Sequence, residues 1–321
     1  MIEKEVIIVG GGPAGSSCAL RLEQHHVDTL ILDQYAFPRE KLCAGWITPE
    51  VLTDLGIPDI DYPYGLTVFH SFHVSFPKFQ KEIRVQQSAV RRSEFDAWLL
   101  SQSGAPFEQH RVQTIQQKRD RYIIDGKYAC KFIVGAGGTN CPVYQSFFRN
   151  ISPRSSDSLI IAMEEEFAYD IEDSQCRLWF FENGLPGYAW YVPKENKFLN
   201  IGIGGKSAKL KEKGISLKEY WGQFTGKLEK EGLVKNHIFH PKGHSYYLRQ
   251  KKPVMRNGNA LIVGDAVGLA TLDMGEGIRP AIKSGGLAAE AIVNNSDYSL
   301  SLIPRYSLFS IVCSGFGKQI Y

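Results

Sequence analysis

Apolar positions in the first 33 residues form two short unbroken runs, Val6–Val9 and Leu30–Leu32. Between them Ala14, Cys18, Ala19 and Leu22 recur at spacings of three and four. Unbroken runs suit strands covered on both faces, and the intervening spacing suits a helix with one apolar face. Strand, turn, helix and second strand are therefore predicted for residues 6–33. The middle of the chain has a different pattern. "LTVFHSFHVSF", "CRLWFF", "GYAWYVP" and "FLNIGIGG" are short, aromatic or β-branched, and separated by turn residues. Segments of that kind predict a mostly antiparallel sheet. Strand-and-helix patterning returns in "NALIVGDAVGLATLDMGEGIRPAIKSGGLAAEAIV". Pro280 is tolerated only in a first helical turn, so this last helix is expected to start near Ile278.

The expected fold is α/β: a Rossmann-like dinucleotide-binding domain interleaved with a mostly antiparallel β-sheet substrate domain. The first is drawn from residues 1–60, 88–145 and 250–321, the second from 61–87 and 146–249. "KFIVGAGGTNCPV" (131–143) looks like a second glycine fingerprint, but asparagine stands where the third glycine belongs. No acidic residue follows a next strand at the expected distance, so this segment is read as a strand returning to the first sheet.

The 321 residues exceed one ordinary domain, and 43% hydrophobic with 22% charged residues is an ordinary globular composition. A net charge of +3 gives no argument for nucleic acid. The basic run "KSAKLKEKGISLK" (206–218) is read as a solvated helix face. No apolar segment reaches the roughly 18 residues that span a membrane, and no signal-peptide pattern opens the chain. Cysteines 18, 43, 130, 141, 176 and 313 are dispersed, without a CxxC pair. A reduced, cytoplasmic protein is expected. The eight histidines form no HxxH or HExxH pattern, so no metal is assigned.

The turn after the first strand carries the chemistry. Gly10-Gly11-Gly12-Pro13-Ala14-Gly15 is a GxGxxG fingerprint in its strand–turn–helix context, with Asp33 at the end of the next strand. Gly10 permits the tight turn, Gly12 lets the backbone approach a pyrophosphate, and Gly15 lets helix pack on strand. The helix N-terminus then faces the phosphates. Asp33 would accept hydrogen bonds from the adenosine ribose, and a glycine-rich turn alone would leave it unexplained.

Asp265 chooses the dinucleotide. A carboxylate at a strand end in a cofactor cleft is repelled by phosphate, so its partner should be a hydroxyl. The ribityl chain of FAD offers three hydroxyls beyond the ribose that Asp33 already serves. The helix starting near Ile278 would aim its partial positive end at the same ligand. A Gly264-Asp265-Ala266 helix cap is the plain alternative.

The fingerprint, "VRRSEFDAWLL" (90–100), "VGDAVG" and "GEGI" together resemble the flavoprotein monooxygenase/reductase superfamily with the p-hydroxybenzoate hydroxylase fold. Within it, "FPREKLCAGWIT" and "PGYAWYVPK" (186–194) resemble the geranylgeranyl reductase group. The resemblance implies one FAD per chain. It implies Arg92 near the cofactor at a helix start, and Gly264 and Asp265 at ribityl and pyrophosphate. Gly275, Gly277 and Ile278 would lie beside the isoalloxazine ring. So would the loop 39–48, with Arg39, Cys43, Ala44 and Gly45. Ala44-Gly45-Trp46 stands where the group often carries glycines, so Trp46 would narrow or wall that space. Gly137-Gly138 replaces the usual Asp-Gly after the return strand, with Gly137 counted at the cofactor.

Three functions compete. In the first, an FAD-dependent reductase transfers hydride from the flavin N5 to a carbon–carbon double bond of an apolar, prenyl-like lipid. Tyr188, Trp190 and Trp46 form the apolar wall. Cys43 positions the alkene or relays the proton, with Arg39 and Lys41 as the only local cations. Ordinary packing is the alternative for Cys43 and for the aromatic set. The second function is a flavin monooxygenase or halogenase, whose WxWxIP pattern Tyr188–Pro193 matches in part. The third is an electron-relay flavoprotein. NAD(P)H, ferredoxin or a quinol would supply electrons. Peripheral membrane contact and the oligomeric state stay open.

Overall fold

The structure, a computed structural model, describes residues 1–57 and 62–307. The two apolar runs become β1 (Ile2–Val9) and β2 (Thr29–Asp33), and the spaced segment between them becomes α1 (Pro13–Gln24). Next come β3 (Trp46–Ile47), α2 (Glu50–Leu55), β4 (Thr67–Phe76) and β5 (Phe79–Ala89). Then follow α3 (Arg92–Gln102), β6 (Phe107–Gln109), β7 (Ile115–Lys118), β8 (Arg121–Ile124), β9 (Tyr128–Gly135) and α4 (Pro142–Phe147). The aromatic segments give β10 (Leu159–Ala168), β11 (Cys176–Phe180), β12 (Gly187–Lys194) and β13 (Phe198–Lys206). Last are α5 (Ser207–Lys213), α6 (Leu217–Lys230), β14 (Lys242–Tyr247), β15 (Arg256–Asn257), β16 (Ala260–Ile262) and α7 (Ile278–Val293).

The first sheet runs β15-β16-β9-β1-β2-β6, with β7 and β8 attached beside β9. Its centre is parallel: β1 pairs with β2 and β9, and β9 with β16. The 131–143 segment thus returns to this sheet as β9. Helices α1 and α7 lie in close contact. A Cβ at Gly285 of α7 would stand 2.2 Å from the Ala14 carbonyl oxygen, so only glycine allows this approach.

The second sheet runs β14-β10-β13-β12-β11-β4-β5-β3. It is antiparallel except for β4 and β11, which pair in parallel. Alternation gives it two apolar faces. One packs Trp179, Tyr191, Leu199 and Ile201 under the apolar side of α6. The other carries Phe72, Leu178, Phe180, Trp190 and Val192, with Trp46 and Met274 against it. Met274 belongs to the glycine-rich segment before α7, so this inner face looks toward the first sheet's glycine-rich loops.

Two local expectations change. The basic run 206–218 is not one helix face: Gly214, at φ +66°, ends α5, and a Ser216–Glu219 capping box starts α6. Trp46–Ile47 pairs with β5, so this piece of the 1–60 segment belongs to the second sheet. Cysteines 18, 130, 141 and 176 are buried free thiols and Cys43 is a half-buried one; Cys313 lies outside the described residues. Among the described residues no helix is long and apolar enough to cross a membrane.

Candidate cofactor and substrate site

At the end of β1 the three fingerprint glycines do different work. Gly10 has φ +117°, and a Cβ there would meet the Ala136 carbonyl carbon at 2.4 Å and the Gly137 nitrogen at 2.7 Å. A Cβ at Gly15 would lie 1.9 Å from the Gly10 oxygen. These two let β1, α1 and the end of β9 meet, whereas a Cβ at Gly137 would face Cys141 Cα at 3.2 Å. Gly12 is unlike them, since a Cβ there would find only Arg39 Nη2, at 3.4 Å. Pro13 and Ala14 are buried in the first turn of α1. Asp33 accepts the Gly11 N–H at 2.8 Å and the Tyr35 N–H at 3.0 Å. It therefore closes the loop and keeps acceptor capacity for a hydroxyl.

Arg39 lies over the Phe37 ring, 4.8 Å from its centroid, with Nη2 3.6 Å from Asp96. Its Nε is buried without a hydrogen-bond partner among the described residues. A guanidinium with a spare donor beside the half-buried Gly12, at the start of α1, fits a pyrophosphate. Across the loops, Gly264 (φ +59°) follows β16 and packs against Ala14, where a Cβ would stand 3.0 Å from the Ala14 Cβ. Asp265 is half-buried and projects toward Gly277, with Oδ1 3.6 Å from where a Cβ would be. Gly275 (φ +65°) leaves room for the Tyr246 hydroxyl, which would lie 2.4 Å from a Cβ. Glu276 ties the loop down. It exchanges hydrogen bonds with Thr271 and accepts the Arg279 N–H at 2.8 Å just inside α7, which begins at Ile278 as expected. Burial lifts the Glu276 carboxyl to about 7.

Arg92 is the first residue of α3 and is buried with Asp96, to which Nε and Nη2 donate at 2.7 and 2.9 Å. The same guanidinium reaches the Cys43 side chain. The cation beside Cys43 is therefore Arg92, in addition to the local Arg39 and Lys41, and only the tertiary fold brings it there. The Cys43 sulfur also accepts the Gly45 N–H at 3.3 Å. Ala44 packs on the inner apolar face. Gly45 (φ +78°) presses on β5's end, where a Cβ would lie 2.1 Å from the Val90 oxygen.

The inner face of the second sheet forms the opposite wall. Trp46 and Tyr188 stack with centroids 6.3 Å apart, and Tyr188 lies 5.7 Å from Trp190. The Tyr188 hydroxyl donates to the Met274 carbonyl at 2.5 Å, joining wall to glycine loop. Trp190 lies flat across Gly202, where a Cβ would be 2.1 Å from the indole.

Two polar groups on this face were not singled out from sequence. Glu164 is 1% exposed, and neither of its oxygens meets a donor among the described residues. Burial raises its carboxyl to about 8, against the pull of Lys194 and Lys41. The available signal was an acid at an inward position of β10, where "LIIAMEEEFA" alternates. His244 of β14 has a buried Nδ1 without a partner among the described residues; burial, with Lys41 and Arg92, lowers it to about 3 and keeps it neutral.

A dinucleotide loop on a parallel sheet, facing an aromatic wall on a mostly antiparallel one, defines a flavin-dependent oxidoreductase. Residues 8–81 match the family model of the NAD(P)-binding Rossmann-like domain, and residues 157–243 that of the geranylgeranyl reductase catalytic domain. The second match spans the strands that carry Glu164, Tyr188, Trp190 and Gly202. An uncharacterized protein of Methanosarcina barkeri is 30% identical over 312 residues, 91% of this chain and 75% of its own. Geranylgeranyl diphosphate reductase of Rhodobacter capsulatus is 26% identical, over 89% of this chain and 74% of that protein. The solved structure of a geranylgeranyl bacteriochlorophyll reductase-like protein from Thermoplasma acidophilum shares the fold, with TM-score 0.78 at 20% identity over 98% of this chain and 84% of that one. The chain belongs to the geranylgeranyl reductase family of flavin-dependent oxidoreductases.

Proposed function

We propose that this chain holds one FAD between its two sheets and reduces carbon–carbon double bonds of a prenyl-type apolar substrate. The observation that carries this reading is the Trp46–Tyr188–Trp190 wall, tied through Tyr188 to the Gly275–Gly277 loop. Gly12 and Arg39 would hold the pyrophosphate, Asp33 the ribose and Asp265 the ribityl chain. Gly264, Gly275, Gly277, Ile278, Ala44 and Gly45 would border the ring. Bound there and reduced, the flavin supplies a hydride. The chain's own part is to orient an alkene against the aromatic wall, exclude water and supply a proton. Cys43, held between Arg92 and the Gly45 N–H, belongs to the ring's substrate edge and modulates turnover without carrying the cofactor.

A line of aromatic rings reaching the surface supports the substrate class. Phe79, 57% exposed at the β4–β5 tip, stacks on Phe76 at 4.7 Å; Phe76 stacks on Phe180 at 5.1 Å, and Phe180 lies 5.2 Å from Tyr188. An unbroken line of rings thus runs from the surface to the wall, and peripheral contact of that tip with a membrane belongs to this proposal. So does the division into a cofactor domain (1–60 without the Trp46–Ile47 strand, 88–145, 250–321) and a substrate domain (61–87, 146–249, with that strand). The electron donor is NAD(P)H, ferredoxin or a quinol. The test is flavin content after purification, then anaerobic assay of each donor with geranylgeranyl substrates. Stoichiometric FAD and a saturated product support the reading; a folded protein without flavin overturns it.

A further inference from the structure

The inner face of β10 carries a carboxyl group that meets no hydrogen-bond partner among the described residues. Glu164 faces Gly202 of β13, which in turn faces Trp190 of β12. With no side chain between them, the indole and the carboxyl-bearing chain come together: a Cβ at Gly202 would stand 2.1 Å from the indole and 2.8 Å from Glu164 Cβ. Glu164 is therefore roofed by an aromatic ring of the proposed alkene wall.

The surrounding charged and titratable groups are committed elsewhere or approach without bonding. Lys194 of β12 donates to Glu166 at 2.6 Å, and Arg92 of α3 is held by Asp96. Lys41 of the 39–48 loop acts on Glu164 only through space, as do Glu166 on its own strand, Tyr188 of β12 and Tyr246 of β14. An acid retained only for packing would normally be paired. One that faces a reaction space unpaired is free to give its proton to something bound there.

We propose that Glu164 is the general acid of the reduction, delivering its carboxyl proton to one carbon of the alkene held against Trp190. This rests on the reductase reading above. The alkene π bond breaks. One carbon gains a C–H bond through the hydride pair supplied by the reduced cofactor, which is thereby oxidised. The other carbon gains a C–H bond to the proton as the Glu164 O–H bond breaks, leaving a carboxylate that regains a proton from water before the next turnover. The raised carboxyl supports the role independently, since it keeps the proton in place at neutral pH. The role the sequence suggested for Cys43 in proton relay passes to Glu164, and Cys43 becomes a positioning residue at the edge of the same space.

The experiment compares Glu164→Gln with the parent protein, both loaded with FAD. Infrared spectra of the substrate-free proteins are recorded against pH, and alkene reduction is measured in single turnovers. In the parent, a protonated-carboxyl band titrating near 8 is expected, and it should be missing from the variant. The variant should keep its flavin and its reactivity with oxygen while alkene reduction falls by about 10²–10⁴-fold. Parent turnover should decline as pH rises through the same midpoint. If parent and variant match in turnover and pH profile, the assignment falls while the reductase reading stands. A flavin-loaded parent that reduces no prenyl alkene overturns that reading, and the assignment with it. Should glutamine prevent folding, the parent decides alone: a turnover profile with no decline above about 8 overturns the assignment.

Discussion

Trp190 donates its indole N–H to Asn200 Oδ1 at 2.7 Å, and Asn200 reaches back to the Cys43 carbonyl at 3.5 Å. One amide thus joins the aromatic wall of the second sheet to the loop that follows β2. Both Trp190 and Asn200 are buried, so Asn200→Ala leaves an indole donor unpaired. A loss of about 1–3 kcal/mol in urea unfolding is expected. In a Trp190→Phe background the same change should cost much less, because no donor is stranded. Equal costs in the two backgrounds would contradict the coupling.

The fingerprint glycines give a sharper pair. Gly15→Ala forces a Cβ to 1.9 Å from the Gly10 oxygen and is expected to abolish soluble, folded protein. Gly12→Ala meets only the movable Arg39 side chain, at 3.4 Å. It should fold with a Tm near the parent's yet bind FAD at least about tenfold more weakly, roughly 1.4 kcal/mol. Thermal melts and flavin titration of the two variants check this, and a Gly12→Ala protein with parental flavin affinity would contradict the loop's assignment.

Arg92 and Asp96 form a buried bidentate pair, with Asp96 0% exposed. Arg92→Ala strands that carboxylate, leaving it, among the described residues, only the Arg39 guanidinium at 3.6 Å. A destabilisation of about 3–5 kcal/mol is expected by chemical denaturation. Arg92→Ala with Asp96→Ala should be milder than Arg92→Ala alone, because no unpaired charge remains.

Stability should also depend on pH in a defined window. Glu164 and Glu276 are raised from 4.5 to about 8 and about 7, so the folded chain keeps protons that the unfolded chain releases. Their contribution is greatest below 4.5 and declines as pH rises toward 8. His244, lowered from 6.5 to about 3, acts oppositely: the unfolded chain binds the extra proton, so stability rises with pH up to 6.5. Below 6.5 His244 offsets one of the two acids, so the net fall runs from about 4.5 to about 8 and is steepest between about 6.5 and 7. Melting curves across that range check it. Glu164→Gln and Glu276→Gln should each flatten the fall, and a parent Tm that rises there would contradict the burial of these acids.

Local chemistry was legible in the sequence. The Gly10–Gly15 turn, the Asp33 strand end and the Ile278 helix start are dictated by neighbours along the chain: glycine backbone freedom, the strand period and the fixed φ of Pro280. Pairing between distant segments was not. The parallel contact of β4 with β11 and the transfer of Trp46–Ile47 to the second sheet are set by how the inner face closes over Met274. The meeting of Arg92 with Cys43 needs α3 and the 39–48 loop packed together. Glu164 was hidden among three consecutive glutamates, and only the β10 register, with Gly202 opposite, separates it from Glu165 and Glu166.

The central claim is that the two sheets enclose a flavin that reduces a prenyl double bond. Its most direct test is an anaerobic single turnover: the FAD-loaded protein is reduced, mixed with geranylgeranyl diphosphate or a geranylgeranyl glycerolipid, and followed by flavin absorbance and product mass. The expected result is that oxidised flavin returns in step with product carrying two added hydrogens per flavin. Flavin that stays reduced with every prenyl alkene, and reoxidises only when oxygen is admitted, would contradict the account.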